Sequence, residues 1–335
     1  MQQSMMTIIE NTATLIYNPL AGPADLANTM ERIAQRWRAV GWEIDIRSTK
    51  AAGHAVQLAA DAVDRGRQLV LAAGGDGTLG EVVNGLAGSQ TMMGVLPAGT
   101  ANSIARELKL PLPGLLHENN LLTASDALMA GYVQTVDLGY TASPENAGGR
   151  YWILWTGTGA DSYLVNELEP RPKWSKRIGW PSYVVQGIPT LPKFSHIHAR
   201  VEVDGHHFED DYILVLISNC QRYAGGFVTL SPDAKVDDGL LEVWLFGGRG
   251  LLTMSRHAIR TLQGQASKEP DALLLRGKEI TIHTDPLMPA QTDGEPAGET
   301  PLYCRIVPAS LKLLTPRSAP RSLFTIQGPK LLNSG

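Results

Sequence analysis

The segment LVLAAGGDGTLGEVVNGL, residues 69–86, joins an apolar strand to a helix through a turn rich in glycine. The strand, residues 69–73, shows no alternation of polar and apolar side chains, which is typical of a parallel strand covered on both faces. The helix begins near Thr78. Parallel strands linked by crossover helices build α/β sheets, so the segment predicts a Rossmann-like α/β domain with a parallel sheet.

The turn has the features of a phosphate-binding loop. Gly74, Gly75 and Gly77 lack Cβ atoms, so the backbone can turn with positive φ and phosphate oxygens can approach the amides. The helix N-terminus near Thr78 adds partial positive charge and free N–H donors. Asp76 would repel a bare pyrophosphate unless a divalent cation or a ribose hydroxyl mediated the contact. The turn therefore predicts a magnesium-nucleotide site organised by Asp76, with an Asp that caps the helix as the alternative.

Gly75, Gly77 and Gly80 also match the dinucleotide fingerprint G-x-G-x-x-G. That fingerprint requires an acidic residue about twenty positions later, at the end of the next strand. Here the next strand, residues 92–96, runs into residues 97–100 without a carboxylate, which argues against an NAD-dependent oxidoreductase. The Walker pattern G-x-x-x-x-G-K-[ST] is absent from the sequence.

Two other loops are expected beside the glycine turn. Residues 18–22 follow the first strand, residues 14–17, and residues 97–102 follow the strand at 92–96. The carboxyl ends of parallel strands meet at one edge of the sheet, where α/β proteins bind ligands. The three loops should therefore line one crevice.

Several motifs together resemble the diacylglycerol kinase catalytic-domain family, especially its soluble bacterial lipid kinases, which are related to sphingosine kinases and NAD kinases. They are NPLAG (18–22), GGDGT (74–78), PAGTANSIAR (97–106), GGFVTLSPDAKVDDGLLEV (225–243) and TDGE (292–295). The resemblance spans residues 18 to 314. It implies a kinase that transfers the γ-phosphate of ATP to a hydroxyl of diacylglycerol or a related lipid, with ATP between two domains.

The resemblance also assigns site residues. The expected nucleotide contacts are Asn18, Pro19, Gly22, Thr49, Gly74, Gly75, Asp76, Gly77, Thr78, Leu79, Gly80, Thr100 and Asn102. In the TDGE turn, Glu295 is the expected general base and Asp293 the runner-up or orienting partner; a plain Asp-Gly hairpin is the alternative. By the same resemblance, a structural Mg²⁺ is expected on the main-chain oxygens of Lys235 and Leu240 and on the Asp238 carboxylate, and a solvated Asp-Asp-Gly turn is the alternative.

The sequence departs from the family at two positions and leaves rival functions open. Ser103 stands where many members have Asp, and Ala21 stands where many have Ser. The change at position 103 raises the possibility of a catalytically degenerate protein that binds nucleotide or lipid for regulation. An NAD kinase is the chief rival among enzymes, because it shares GGDGT.

A chain of 335 residues predicts two domains. We expect an α/β nucleotide-binding domain at 1–135 and a β-rich sandwich domain for the lipid substrate at 136–314, where short strands dominate. The expected strands there include residues 151–155, 197–203, 303–307 and 310–314. The tail, 315–335, could pack back on the first domain. A net charge of −4 argues against nucleic acid as the main partner, and no apolar run is long enough to predict a transmembrane segment.

The expected acceptor is a lipid at a membrane surface. Residues 170–195 contain five Lys or Arg residues, two Trp and one Tyr but no acid, a composition that suits an anionic lipid interface. Only Cys220 and Cys304 are present, in apolar surroundings that indicate free thiols and the cytosol. The expected location is therefore cytoplasmic with peripheral membrane association, and a homodimer stays open.

Overall fold

The computed structural model describes residues 11–21, 26–113, 120–145, 148–168 and 194–331. Strands and helices alternate in the first part of the chain. These elements are β1 (Asn11–Tyr17), α1 (Leu26–Ala39), β2 (Trp42–Ser48), α2 (His54–Asp64), β3 (Leu69–Gly74), α3 (Asp76–Leu86), β4 (Met92–Pro97), α4 (Ser103–Glu107) and α5 (Asn120–Met129).

Strands dominate the rest of the chain. The elements are β5 (Tyr132–Ala142), β6 (Arg150–Trp152), β7 (Trp155–Gly159), α6 (Ala160–Leu168), β8 (Ile197–Val203), β9 (His206–Ser218), β10 (Arg222–Tyr223), β11 (Val228–Thr229), β12 (Leu241–Gly247), α7 (Gly250–Leu262), β13 (Ala272–Gly277), β14 (Glu279–Asp285), β15 (Pro289–Thr292), β16 (Glu295–Glu299) and β17 (Leu302–Thr315).

The first part of the chain forms the predicted parallel sheet. Strand β1 pairs in parallel with β2 and β3, and β3 pairs in parallel with β4. Every residue of β3 is buried, as its uninterrupted apolar sequence requires. Helix α1 buries Met30, Ile33, Ala34 and Trp37, which recur at the spacing of one helix face. The prediction of an α/β N-terminal domain is confirmed.

The β-rich part has the expected one-sided strands. In β8 the residues Ile197, Ala199 and Val201 are buried, whereas His198 and Arg200 point to solvent. Antiparallel pairing runs from β7 through β9 and β8 to β14 and β17, with β12 and β13 continuing from β9. The buried faces of these strands form a second apolar core, distinct from the core under the parallel sheet. The prediction of a β-rich C-terminal part is also confirmed.

One long strand, β17, belongs to both parts of the fold. Its first residues pair antiparallel with β14, and Lys312–Leu314 pair in parallel with β4. The sequence predicted two strands here, 303–307 and 310–314, and that prediction is wrong. The structure has a single strand with a bulge between Val307 and Leu311, where Ala309 has φ 50° and donates its N–H to Asp137.

The predicted strand at 151–155 is also wrong, because the structure divides it. Strand β6 ends at Trp152 and pairs with β5, whereas β7 begins at Trp155 and pairs with β9 and β15. Between them, the N–H groups of Ile153 and Leu154 donate to the carboxylate of Asp293, at 3.1 and 3.0 Å. A distant side chain thus takes the donors that a continuous strand would have given to its neighbour.

The end of the chain returns to the start of β5. The N–H of Val133 donates to the Pro329 carbonyl, and the N–H of Leu331 donates to the Gly131 carbonyl. Strand β5 itself crosses residue 135, the domain boundary expected from the sequence. The basic and aromatic segment expected at the membrane lies outside the described residues, apart from residues 194–195. In the described ranges, no helix has both the length and the apolar character needed to cross a membrane.

Candidate active site

Loops that follow β1, β3 and β4 converge at one edge of the parallel sheet, as the sequence predicts. The N–H of Asn18 donates to the Ala73 carbonyl, and the N–H of Ala98 donates to the Gly74 carbonyl, both at 3.0 Å. The amide of the Asn18 side chain donates to the Thr78 hydroxyl at 3.3 Å. These bonds fix the three loops relative to one another at the carboxyl ends of their strands.

The glycines of the central loop are required for close packing. A Cβ added to Gly99 would overlap the Cα of Gly75, and a Cβ added to Gly74 would lie 2.6 Å from the Cβ of Thr78. None of Gly74, Gly75 and Gly77 has positive φ, and Gly75 has φ −87°. The prediction that these glycines have positive φ is therefore wrong: they permit close packing, of Gly74 against the Thr78 side chain and of Gly75 against the Gly99 backbone.

Helix α3 begins at Asp76, two residues earlier than predicted, so the loop amides belong to its first turn. The cap residue of α3 is Gly75, and no side chain caps this helix. The Asp76 carboxylate instead accepts the N–H and the hydroxyl of Ser103, at 2.8 and 3.1 Å. Ser103 thus binds the carboxylate that the sequence assigned to the metal, and it does so as a neutral donor.

Burial raises the pKa of Asp76 to about 6, the bonds from Ser103 lower it, and the nearby negative charge of Asp293 raises it. A cation beside the carboxylate would stabilise its ionised form. The donors present fit a magnesium nucleotide: backbone amides at a helix N-terminus for the phosphates, and a carboxylate oxygen for the metal.

The TDGE turn lies against this loop. Asp293 and Gly294 form a two-residue hairpin turn between β15 and β16, with φ 51° and 81°. A Cβ placed on Gly77 would lie 2.9 Å from Oε1 of Glu295, so the Glu295 carboxylate occupies the space above Gly77. The turn is an Asp-Gly hairpin, as the alternative reading expects, and it also places a carboxylate at the predicted phosphate site.

The two acids of the turn have different surroundings. The buried Asp293 carboxylate accepts the N–H groups of Ile153, Leu154 and Trp155. Burial raises the pKa of Asp293, and these bonds oppose the increase. Glu295 is only partly buried and faces the glycine loop. This geometry favours Asp293 as the orienting residue and Glu295 as the group that could contact a substrate.

The other expected nucleotide contacts lie in three settings. Thr49, whose N–H donates to the Tyr17 carbonyl at 2.9 Å, lies at the end of β2, and Pro19 and Thr100 are exposed on neighbouring loops. Asn102 is buried, with φ 53°, and its amide exchanges two hydrogen bonds with Gly99. Leu79 and Gly80 are buried in α3. Gly22 lies outside the described residues.

Two arginines that the sequence did not predict as part of the site lie near it. Nη2 of Arg150 lies 3.1 Å from where a Cβ of Gly80 would be, and its charge lowers the pKa of Asp293. The Arg106 guanidinium lies 4.1 Å above the centre of the Phe227 ring, and its Nε donates to the Ala101 carbonyl. Arg106 lies within a quoted motif, whereas Arg150 has no local signal.

The expected structural metal site lies in the turn before β12. Oδ1 of Asp238 accepts the N–H of Leu240 at 3.1 Å, and both residues are partly buried, as is Lys235. Nearby, burial raises the pKa of Asp137, and the charges of Asp237 and Asp238 raise it further. In the part of the chain that the structure describes, no three or more His, Cys, Asp or Glu side chains group as metal ligands. The expected site uses two carbonyl oxygens and one carboxylate, so it would not form such a group.

Known proteins resemble both parts of the chain. The profile described as "Diacylglycerol kinase catalytic domain" matches residues 12–141, and the profile described as "YegS C-terminal NAD kinase beta sandwich-like domain" matches residues 156–315. A diacylglycerol kinase of Bacillus subtilis (strain 168) is 29% identical over 291 residues, covering 86% of this chain and 91% of that protein. A diacylglycerol kinase of Staphylococcus carnosus (strain TM300) is 28% identical over 307 residues, covering 91% and 95%.

Two crystal structures from Bacillus anthracis str. Sterne share the fold. One, described as a diacylglycerol kinase, superposes with a TM-score of 0.66 at 22% identity and covers 92% of this chain and 98% of its own. The other superposes with a TM-score of 0.73 at 24% identity and covers 92% and 99%.

The raised pKa of Asp76 predicts a pH-dependent effect of Asp76→Asn on stability. The folded wild type binds a proton more tightly than the unfolded chain, so its free energy of unfolding falls as pH rises from about 4 through about 6. The Asn variant lacks this loss. Its stability relative to wild type should grow by about 1 to 2 kcal/mol between about pH 5 and pH 7.5, measured by urea unfolding in EDTA. The exposed Asp64→Asn serves as control, and equal growth in both variants would contradict the assignment.

Proposed function

The chain belongs to the diacylglycerol kinase catalytic-domain family, and from that membership we propose that it transfers the γ-phosphoryl group of ATP to a hydroxyl of diacylglycerol or a related lipid. The observation that carries this proposal is the place of the Glu295 carboxylate over Gly77, with Oε1 2.9 Å from where a Cβ of that glycine would lie. It puts a candidate base beside a candidate phosphate loop.

The glycine loop is the proposed nucleotide side of the reaction. The first amides of α3 point out of the helix N-terminus, and Asn18 and Thr78 are hydrogen-bonded to each other beside it. ATP supplies the phosphoryl group, and a Mg²⁺ held by Asp76 would neutralise charge on the phosphates. Arg150 supplies a further positive charge near α3 and the TDGE turn. These groups fit an anionic triphosphate.

Glu295 is the proposed base. It would accept the proton of the lipid hydroxyl while the oxygen bonds to the γ-phosphorus and the bond from that phosphorus to the leaving ADP oxygen breaks. A lipid hydroxyl has a high pKa, so the proton moves as the new bond forms rather than before it. Asp293 orients the turn through its three backbone bonds, and no oxygen of Asp293 needs to meet substrate.

The structure favours an active enzyme over a degenerate binding protein. Ser103 replaces an acid of the family pattern, yet it holds the Asp76 carboxylate with two hydrogen bonds. The change removes one negative charge and keeps Asp76 and Glu295 in place. We therefore propose that the site is catalytically active and lacks at most one contact to the metal.

The proposed acceptor also sets where the enzyme works. Diacylglycerol and related lipids reside in membranes, so the Glu295 side of the cleft must meet a membrane surface or a lipid extracted from one. We propose a cytoplasmic protein that associates peripherally with membranes.

The charge change Glu295→Gln tests the proposed base. With Mg²⁺, ATP and mixed micelles of candidate lipids, wild type should yield a phosphorylated lipid detectable by mass spectrometry. Glu295→Gln should lower kcat by about 10²- to 10⁴-fold with little change in KM for ATP, because it removes the group that accepts the proton but none of the groups that bind the phosphates. Glu299→Gln makes the same change at an exposed position on the same hairpin and should retain full activity.

The same experiment distinguishes a lipid kinase from its chief rival, an NAD kinase. NADP formation from NAD and ATP, with no phosphorylated lipid, would select an NAD kinase and contradict the lipid kinase proposal. Equal turnover by Glu295→Gln and Glu299→Gln would remove Glu295 from its proposed role while leaving the reaction intact.

If the proposed structural Mg²⁺ binds, the thermal stability of the protein should depend on magnesium. Millimolar Mg²⁺ should raise the midpoint of thermal unfolding of wild type, since a cation that binds only the folded chain stabilises it. Asp238→Asn should lose most of this increase, because it removes the one carboxylate of the set. Asp233→Asn, an exposed acid a few residues earlier, should keep it. An equal response in both variants would contradict a metal on Lys235, Asp238 and Leu240.

A further inference from the structure

A buried amide side chain lies directly behind the TDGE turn. Gln291 is 1% exposed and lies on β15, two residues before Asp293. Its Oε1 accepts the N–H of Gly294 at 2.9 Å, and its Nε2 donates to Oδ2 of Asp161 at 3.0 Å. Both ends of the amide are therefore used, and one of them holds the turn that carries Glu295.

Asp161 binds the NH₂ end of the Gln291 amide. This acid lies in the first turn of α6, and it accepts the N–H and hydroxyl of Ser162 and the hydroxyl of Tyr223, at 2.6, 3.1 and 2.9 Å. The backbone N–H of Gly294 can only donate, so the carbonyl end of the Gln291 amide must face Gly294 and the NH₂ end must face Asp161. The Tyr223 ring in turn packs edge-on against Trp155.

The Gly294 amide lies within a turn whose two residues both have positive φ. A rotation of that peptide would move the next residue, Glu295, whose carboxylate lies above Gly77. Thus the bond from Gly294 to Gln291 fixes a peptide that determines where the proposed base lies relative to the glycine loop.

A second set of hydrogen bonds links the segment that carries Tyr223 to α4. Glu107 of α4 accepts the N–H groups of Gln221 and Arg222, at 2.7 and 3.1 Å, and Tyr223 follows directly. The same helix carries Ser103, which binds Asp76. Side-chain hydrogen bonds, together with the backbone of β10 and α4, therefore connect the turn that carries Glu295 to the Asp76 carboxylate of the glycine loop.

We propose that Gln291 is a positioning residue for phosphoryl transfer: oriented by Asp161 and Tyr223, it holds the Gly294 amide and thereby fixes the Glu295 carboxylate against the glycine loop. The inference deepens the proposed function and rests on it. Gln291 contacts no reacting atom, so its loss should act on kcat through the geometry of Glu295.

The test compares Gln291→Met with a matched variant. Met has a similar length and shape but can neither hold the Gly294 N–H nor donate to Asp161. Thr158→Val removes a different hydrogen bond to β15, from the Thr158 hydroxyl to the Pro289 carbonyl at 2.8 Å, and leaves the turn untouched. Both variants should lower the thermal midpoint, Gln291→Met by more because it loses two hydrogen bonds. A purely structural role would leave the kcat of the folded protein alike in both.

In the lipid kinase assay, Gln291→Met should lower kcat by about 10- to 100-fold with KM for ATP within about twofold of wild type, because misplacing a reacting group by about 1 Å is that costly. Thr158→Val should retain wild-type kcat. Tyr223→Phe, which removes one of the two hydrogen bonds to Oδ2 of Asp161 but keeps the ring, should fall between them.

Hydrogen exchange of the Gly294 amide, measured without substrate, gives an independent readout. It should be faster in Gln291→Met than in wild type and unchanged in Thr158→Val. Equal kcat and equal Gly294 exchange in the two variants would overturn the proposal. If wild type phosphorylates no lipid, the proposed function fails, and the exchange comparison still decides whether Gln291 holds the turn.

Discussion

The Glu295 carboxylate lies against the glycine loop in the space that a side chain at residue 77 would occupy. A Cβ there would come within 2.9 Å of Oε1 of Glu295. Two residues earlier in the loop, the backbone of Gly75 packs closely against the backbone of Gly99. The glycines thus do more than expose amides to phosphate. They let two strand-end loops and a hairpin from the other part of the chain share one small volume, in which amide donors and a carboxylate face the same space.

That arrangement needs a rigid connection between the two parts of the fold, and β17 provides it. The strand hydrogen-bonds to β14 at one end and to β4 at the other, while β5 follows it along most of its length. The proposed site is therefore built across a continuous sheet. It also concentrates negative charge, since Asp76, Asp293 and Glu295 lie near one another and burial raises the pKa of the first two. A divalent cation together with Arg150 would reduce this repulsion, which is the electrostatic condition for binding a triphosphate.

Local patterns were enough to predict the parts of the fold that depend on neighbours in sequence. The apolar strand before Gly74, the one-sided strand β8 and the convergence of strand-end loops follow from periodicity and topology. The division of the strand at Ile153 could not be predicted, because its cause is a carboxylate 140 residues away. Arg150 reaches the site because β6 hydrogen-bonds to α3, and Gln291 reaches it because β15 pairs with β7. One sequence contains no signal for these long-range contacts. The TDGE turn was found through the family pattern, since an Asp-Gly hairpin alone indicates only a turn.

The central claim is that the glycine loop holds a magnesium nucleotide directly opposite Glu295. A crystal structure of the protein with Mg²⁺ and a non-hydrolysable ATP analogue tests it most directly. The account predicts the terminal phosphate on the first amides of α3, with the Glu295 carboxylate about 3 Å, directly or through one water, from the position of an attacking oxygen. A nucleotide bound elsewhere, or a terminal phosphate at the loop with Glu295 turned away from it, would contradict the account.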